Sequence, residues 1–179
     1  DRIQITIGTQ AEQAMNQIAD GQLDWYFEAV PTDRLAALQR QYPSQVHVYP
    51  RNDITYFLLN TRRAPMNNLK VRQALNYAVN RDALLKIFGG QGSPTENIIP
   101  PSLGPAFKRQ WPYPYNLAKA KRLVRQSGTQ GMVVQVWSHS DAPAPQAAQY
   151  VASVLDSLGY KANVKTLSQS VYLDTISTQ

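Results

Sequence analysis

No cysteine occurs anywhere in the chain, and that one absence removes disulfide scaffolds, thiolate metal sites, cysteine nucleophiles and redox pairs together. Histidine is almost as scarce: His47 and His139 are the only two, so imidazole chemistry has two possible starting points. No apolar run approaches the roughly 18 residues that a membrane-spanning helix needs. The start lacks the basic-then-apolar pattern of a signal peptide, since Asp1-Arg2-Ile3-Gln4-Ile5 reads as a strand. Charge is thin as well, at 17% of residues against a usual value of about 25%. What is present instead is ordinary hydrophobic content (43%), regularly spaced apolar residues and 18 glutamines. That regular spacing excludes intrinsic disorder, and 179 residues suffice for one large domain or two small ones with a real core.

The formal charge of +6 comes from 18 Lys and Arg against 12 Asp and Glu. The cations are spread along the chain, with small groups at Arg62-Arg63, Lys108-Arg109 and Lys119-Lys121-Arg122-Arg125. The last group falls on a helix expected over 115–127, whose other side carries Leu117, Ala120, Leu123 and Val124. Two readings stand for it, a solvated basic face or a patch for nucleic acid or anionic lipid. No zinc-finger spacing or glycine-rich phosphate loop accompanies it, so nucleic acid is not an expected partner.

Periodicity divides the chain into elements. Arg2–Gly8 alternates polar and β-branched residues, as a half-buried strand does. Residues 10–20 carry Ala11, Ala14, Met15, Ile18 and Ala19 on one helical face, and Gly21 stops that helix. Strands are expected over 23–30, 46–49 and 54–60, with a helix starting at Pro31-Thr32-Asp33 and running to about Tyr42. Further on, 69–78 and a helix restarting at Asn80 or Arg81 are expected helical, the second ended by Gly89-Gly90. From Gly89 to Pro114 six prolines make regular structure improbable, and a long loop of that kind is often functional or packed across a surface. Then follow a strand over 132–137, a helix over about 145–158 and a strand over 160–167. This βαβ order requires parallel strands and a right-handed crossover. A last helix begins at Ser168, with Val171, Tyr172 and Ile176 on one side. The fold class is therefore α/β. No sequence repeat underlies it, although residues 2–21 and 132–159 share a strand–turn–helix order.

The search for catalytic chemistry yields little. Ser138, His139, Ser140 and Asp141 are neighbours in sequence, but adjacent residues at a strand end point in different directions. This strand-end loop is read either as lining a cleft, because α/β sheets bind ligands beyond their carboxyl strand ends, or as plain turn chemistry, and both are preferred to catalysis. Asp24 and Glu28 bracket Trp25, Tyr26 and Phe27, the richest aromatic and acidic stretch of the chain. Either Glu28 meets a cationic group of a ligand, or Asp24 caps and the aromatics are core. Tyr56 and Asn60 raise the same choice between cleft and turn. The residues point to binding rather than catalysis, with no metal cluster and no cofactor expected.

A specific resemblance emerges at Asn60-Thr61-Arg62-Arg63-Ala64-Pro65-Met66-Asn67-Asn68-Leu69-Lys70-Val71-Arg72-Gln73-Ala74-Leu75-Asn76-Tyr77-Ala78-Val79-Asn80-Arg81-Asp82-Ala83. This run resembles the signature N-T-x-x-x-P-F-x-D-x-R-V-R-Q-A-L-x-Y-A-I-D-R of extracellular solute-binding proteins, family 5. Met66 stands where the family has Phe, Asn68 where it has Asp, and Leu69-Lys70 at its x-R step. These changes alter the charge of a turn and keep the helix face. The flanks are similar to further family steps, in order: Ala14–Asp24, Asn97-Ile98-Ile99-Pro100-Pro101, Tyr115–Leu123 and Leu158–Val164.

The resemblance covers essentially all 179 residues. It implies a piece of a two-lobe, type II periplasmic-binding-protein-like fold with mixed sheets and flanking helices. Residues 1–58 would be the hinge-proximal part of the first lobe and 59–179 part of the second, with the leader or lipid-anchor segment and further chain lying outside. The implied function is the substrate-binding component of an ABC importer. Such a component captures a peptide or related small solute outside the cytoplasmic membrane and delivers it to a membrane permease without inserting into the bilayer. By motif position, Phe27, Glu28 and Tyr56 are the residues expected to face the ligand, followed by Trp137 and His139. The alternative implied by the same family is a solute-sensing domain fused behind a DNA-binding helix-turn-helix. An enzyme is disfavoured by the missing nucleophile–base pair and metal cluster.

Overall fold

Two units divide the chain, Asp1–Tyr49 and Pro50–Gln179. The computed structural model describes residues 2–27, 30–49, 51–90, 92–95, 97–106 and 113–177; Glu28 and the Lys108-Arg109 pair lie outside the described residues.

In the first unit, α1 spans Ala11–Ala19 and α2 spans Thr32–Gln41. Of the apolar face expected for α1, Ala14 and Met15 are buried, while Ile18 and Ala19 are exposed. Gly21, at φ 69°, ends the helix in a left-handed conformation that a Cβ would oppose. The two helices are tied by Arg34, whose Nη1 donates to Glu12 Oε2 and Asn16 Oδ1 at 2.9 Å each.

The second unit holds the core. Helices α3 (Leu69–Ala78) and α4 (Arg81–Ile87) follow one another, each with an asparagine at its start. The Asn68 side chain accepts from Lys70 N, and that of Asn80 from Asp82 N and Ala83 N, satisfying amide groups that a helix start leaves without partners. Helix α5 (Leu117–Ser127) is capped in the same way by Asn116 and closed by Gly128 at φ 69°. After it come β1 (Val133–His139), α6 (Ala144–Ser157), β2 (Lys161–Leu167) and α7 (Gln169–Ser177). β1 and β2 pair in parallel, Val133 opposite Lys161 through His139 opposite Leu167, as the βαβ order requires.

The core joins α3, α5, β1 and α6. Val71, Ala74, Leu75 and Ala78 meet Ala120 and Val124, and the cluster continues through Val134, Val154, Leu155, Leu158 and Tyr160. One lock ties the α3–α4 junction to α6: Asn80 N donates to Tyr150 Oη at 2.9 Å, and that hydroxyl donates to Asn80 O at 3.2 Å. Burial pushes the Tyr150 hydroxyl above its ordinary value of 10.0; the bond to Asn80 pulls the other way, and Tyr115 adds a smaller push upward.

Four expected strands differ from what is observed. Among the described residues, the runs 2–8, 23–30, 46–49 and 54–60 are not paired into any sheet. The physical reason is that alternation prepares a face but a strand exists only against a partner ladder, and no second run pairs with these. Among its described residues the proline-rich stretch holds 3₁₀ turns over Pro101–Ala106, broken by a kink at Gly104, φ 55°.

Candidate functional site

The best-built candidate site lies at the carboxyl end of β1. Along this strand side chains alternate between faces. Val134, Val136 and Ser138 form the side turned toward the core, while Gln135, Trp137 and His139 form the other. Trp137 sits opposite Lys165 of β2, and the Lys165 ammonium lies 5.1 Å from the centre of its ring. A cation over an indole face at that distance is an attractive contact. The indole N–H donates to Gln135 Oε1 at 3.3 Å. The His139 ring stands edge-on to Tyr172 of α7, 5.7 Å between centres. Its Nδ1 accepts the Asp141 backbone N–H at 3.3 Å and lies 3.6 Å from an Asp141 carboxylate oxygen.

This geometry separates the Ser138–Asp141 neighbours. The hydroxyl of Ser138 is on the buried side and pairs with Thr166 Oγ1 at 3.4 Å, so it is not the partner of the His139 imidazole. Ser140 Oγ donates to Asp141 Oδ1 at 3.4 Å, and neither serine hydroxyl bonds the His139 imidazole, so no hydroxyl–imidazole–carboxylate relay is formed among the described residues. What the strand end offers is an indole, an imidazole, an ammonium and a phenol on one side of a two-stranded sheet. That inventory suits holding a ligand by stacking and hydrogen bonds. Among the described residues no group of three or more His, Asp or Glu is placed to hold a metal ion.

Of the expected site residues, Trp137 and His139 are therefore brought together. Tyr56 also belongs to the second unit; it is 69% exposed in an unpaired extended run and makes no hydrogen bond or ring contact among the described residues. Phe27 belongs to the first unit, 77% exposed, its ring edge-on to Trp25 at 5.7 Å. Glu28 lies outside the described residues. Lys165 and Tyr172 were not singled out by the sequence. The signal that finds Lys165 is the register: two parallel seven-residue strands place the fifth residue of one beside the fifth of the other.

The model of the bacterial extracellular solute-binding proteins, family 5 Middle, matches residues 1–179. The chain belongs to this family. A glutathione-binding protein, GsiB, from Salmonella choleraesuis is 33% identical over 141 residues, which is 77% of this chain and 27% of that relative. The chain thus spans about a quarter of the length of the curated relatives it matches. Among solved structures, the periplasmic binding protein DppA from Helicobacter pylori, in complex with the peptide STSA, is 31% identical with a TM-score of 0.59. It covers 64% of this chain, and the match takes in 23% of DppA. A dipeptide binding protein from Pseudoalteromonas sp. SM9913, in complex with Met-Leu, shares the fold at a TM-score of 0.75 and 24% identity, over 94% of this chain and 34% of that one.

In this family 5 chain the signature run 60–83 builds scaffold. Arg72 Nη1 donates to the carbonyls of Met66 and Asn67 at 3.0 and 3.1 Å, holding the turn before α3. Arg81 reaches in several directions: Nε to Thr95 O at 2.9 Å, Nη1 to Asn76 O at 3.3 Å and Tyr113 O at 3.5 Å, and Nη2 to Asn76 Oδ1 at 3.3 Å. One guanidinium thereby pins both ends of the proline-rich stretch to the end of α3. Tyr77 reinforces the same point, packing edge-on against Tyr113, accepting Asn116 N at its carbonyl and the Lys119 ammonium at its hydroxyl.

Proposed function

We propose that the chain is part of the substrate-binding component of an ABC importer, capturing peptides or a related small solute and handing it to the membrane permease. The family match over residues 1–179 carries this reading. The strand end supports it, because it gathers groups that stack and hydrogen-bond in place of groups that cleave. In this reading Phe27, Glu28, Tyr56, Trp137 and His139 face the ligand, and the protein works outside the cytoplasmic membrane, in the periplasm or lipid-anchored on its outer face. Residues 1–58 belong to the first lobe beside the hinge and 59–179 to the second. The compact units divide earlier, after Tyr49, so this reading gives 50–58 to the first lobe although they stand with the second unit. Capture proceeds by closure of two lobes, with backbone hydrogen bonds and a few charges fixing the ligand while water fills the remaining space.

Calorimetric titration of the full-length protein tests this. The ligands are glutathione, which a relative's name makes the first choice, then di- to pentapeptides and nickel chelates. One of these is expected to bind with saturable heat at one site per chain. Trp137→Ala should weaken it by about tenfold, the loss of one stacking contact and its burial. Absence of heat with every ligand overturns the proposal.

A further inference from the structure

Charge in this chain is segregated in a way its net value hides. Residues 1–53 contain seven Asp and Glu with four Lys and Arg. From Ile54 to Ser140 only Asp82 and Glu96 are acidic, against twelve Lys and Arg. The densest group is on α5. Lys119 is engaged there by Tyr77, its Nζ 2.6 Å from the hydroxyl. Lys121, Arg122 and Arg125 remain, the two arginines exposed and three residues apart, hence neighbours on the helix surface. Among the described residues the arginine–carboxylate pairs are Arg34–Glu12 and Arg51–Asp53, and no carboxylate pairs with a cation of α5.

The neighbouring side chains decide what kind of partner fits. Val124 is buried, and Leu117 and Leu123 pack against the core, so the large apolar residues of α5 all turn inward. The other exposed residues of α5 are Ala118 and Gln126. Interfaces between proteins are centred on buried aromatic or aliphatic anchors, and this face has none to offer. A surface of lipid phosphates requires no anchor, only uncompensated positive charge. We infer that the α5 face carrying Lys121, Arg122 and Arg125 is an electrostatic docking surface for an anionic phospholipid bilayer, resting on the membrane without inserting into it. The inference rests on the proposed place of the protein beside a membrane permease.

The test is co-sedimentation of the full-length protein, prepared without lipid modification, with vesicles of phosphatidylcholine alone or with about 30% phosphatidylglycerol. Partition is expected onto the anionic vesicles only, at low salt, and its loss at about 0.5 M salt, where the Debye length is only a few ångströms. K121Q/R122Q/R125Q should lower partition by about a hundredfold, at roughly fivefold per cation. R122K/R125K should keep it, and circular dichroism melts of both variants should overlay the parent's. Equal partition onto neutral and anionic vesicles overturns the inference, as does a triple variant that partitions like the parent. Binding that needs the permease in the vesicle and ignores phosphatidylglycerol assigns the face to an acidic protein surface and overturns it too. Solute calorimetry on the triple variant keeps the two readings apart: retained heat with lost lipid binding supports both, whereas lipid binding in a protein that binds no solute sinks only the functional reading.

Discussion

Ile3, Ile5 and Ile7 of the first unit and Val134, Val136 and Ser138 of the second follow the same period of two, yet the isoleucines stand 80–93% exposed while Val134 is 8% exposed. Composition does not separate them. The second run has β2 at its side, Val133 to Lys161 and onward, and α6 packed across the pair. The first run has neither among the described residues. Exposure of three isoleucines in a row of seven residues is expensive, since each fully buried aliphatic side chain is worth about 1.5–3 kcal/mol. A face of that kind has the composition of a sheet interior that lacks its neighbour.

The sharpest way to test the difference is to remove volume where it is enclosed. Leu155 is 2% exposed on α6, at the meeting of the helix with the sheet and the α3–α5 pair. Leu155→Ala should cost about 2–5 kcal/mol, the methyl groups' transfer plus an unfilled cavity. Urea denaturation followed by circular dichroism reads this as a lower midpoint at an unchanged slope. A loss below about 1 kcal/mol would mean that α6 does not seal the core as described.

A second break separates scaffold from site within the second unit. Arg81→Met keeps the aliphatic stem and deletes the donors to Thr95, Asn76 and Tyr113. Its cost should be about 1–3 kcal/mol, because carbonyls at both ends of the proline-rich stretch lose a charged partner. Hydrogen exchange should quicken around 92–95 and 113–116 and in the last turn of α3, with β1 and β2 unchanged. Uniform quickening through the sheet would show that the arginine supports the whole core and not the stretch alone.

Much of this was legible because helices are local. Asn68, Asn80 and Asn116 each stand one residue before a helix and cap it, and Gly21 and Gly128 end helices in the backbone conformation that glycine accepts most easily. The βαβ unit was legible for a related reason, since its two strands and their helix are all close in sequence. The paired strands thus came out as read, and the four unpaired runs did not. Alternation at 2–8 and the apolar run at 54–60 state what wants to be buried but carry no information on what lies against it. The site shows the same limit. Trp137 and His139 announce themselves at a strand end, whereas Lys165 and Tyr172 arrive there only through register and the docking of α7.

The lock between Asn80 and Tyr150 sharpens the contrast between halves of the second unit. Tyr150→Phe removes both hydrogen bonds to the Asn80 backbone and should cost about 1–2 kcal/mol. Its pH dependence has a definite sign. A hydroxyl raised by burial contributes stability that is fully present below the ordinary value of 10.0 and is lost as pH climbs past it toward the folded-state value. The gap in melting temperature between parent and variant should therefore stay constant from about pH 7 to pH 9 and narrow above about pH 10. A gap that widens at high pH would contradict burial as the cause of the shift.

The smallest effect returns to the isoleucines. In a chain of these 179 residues, Ile5→Ala should change stability by no more than about 0.5 kcal/mol, the ordinary range for a surface substitution. In the full-length protein the same change should cost about 2–4 kcal/mol if chain outside these residues pairs with 2–8 and covers its face, because the methyl groups would then leave a cavity. Measuring both by urea denaturation converts the contrast between the two units into a number. Equal and negligible costs would mean that the alternating run stays bare in the whole protein, and its pattern would then need an explanation other than a sheet. A large cost in the short chain alone would mean that the first unit already buries Ile5 against a neighbour, contrary to its 80% exposure.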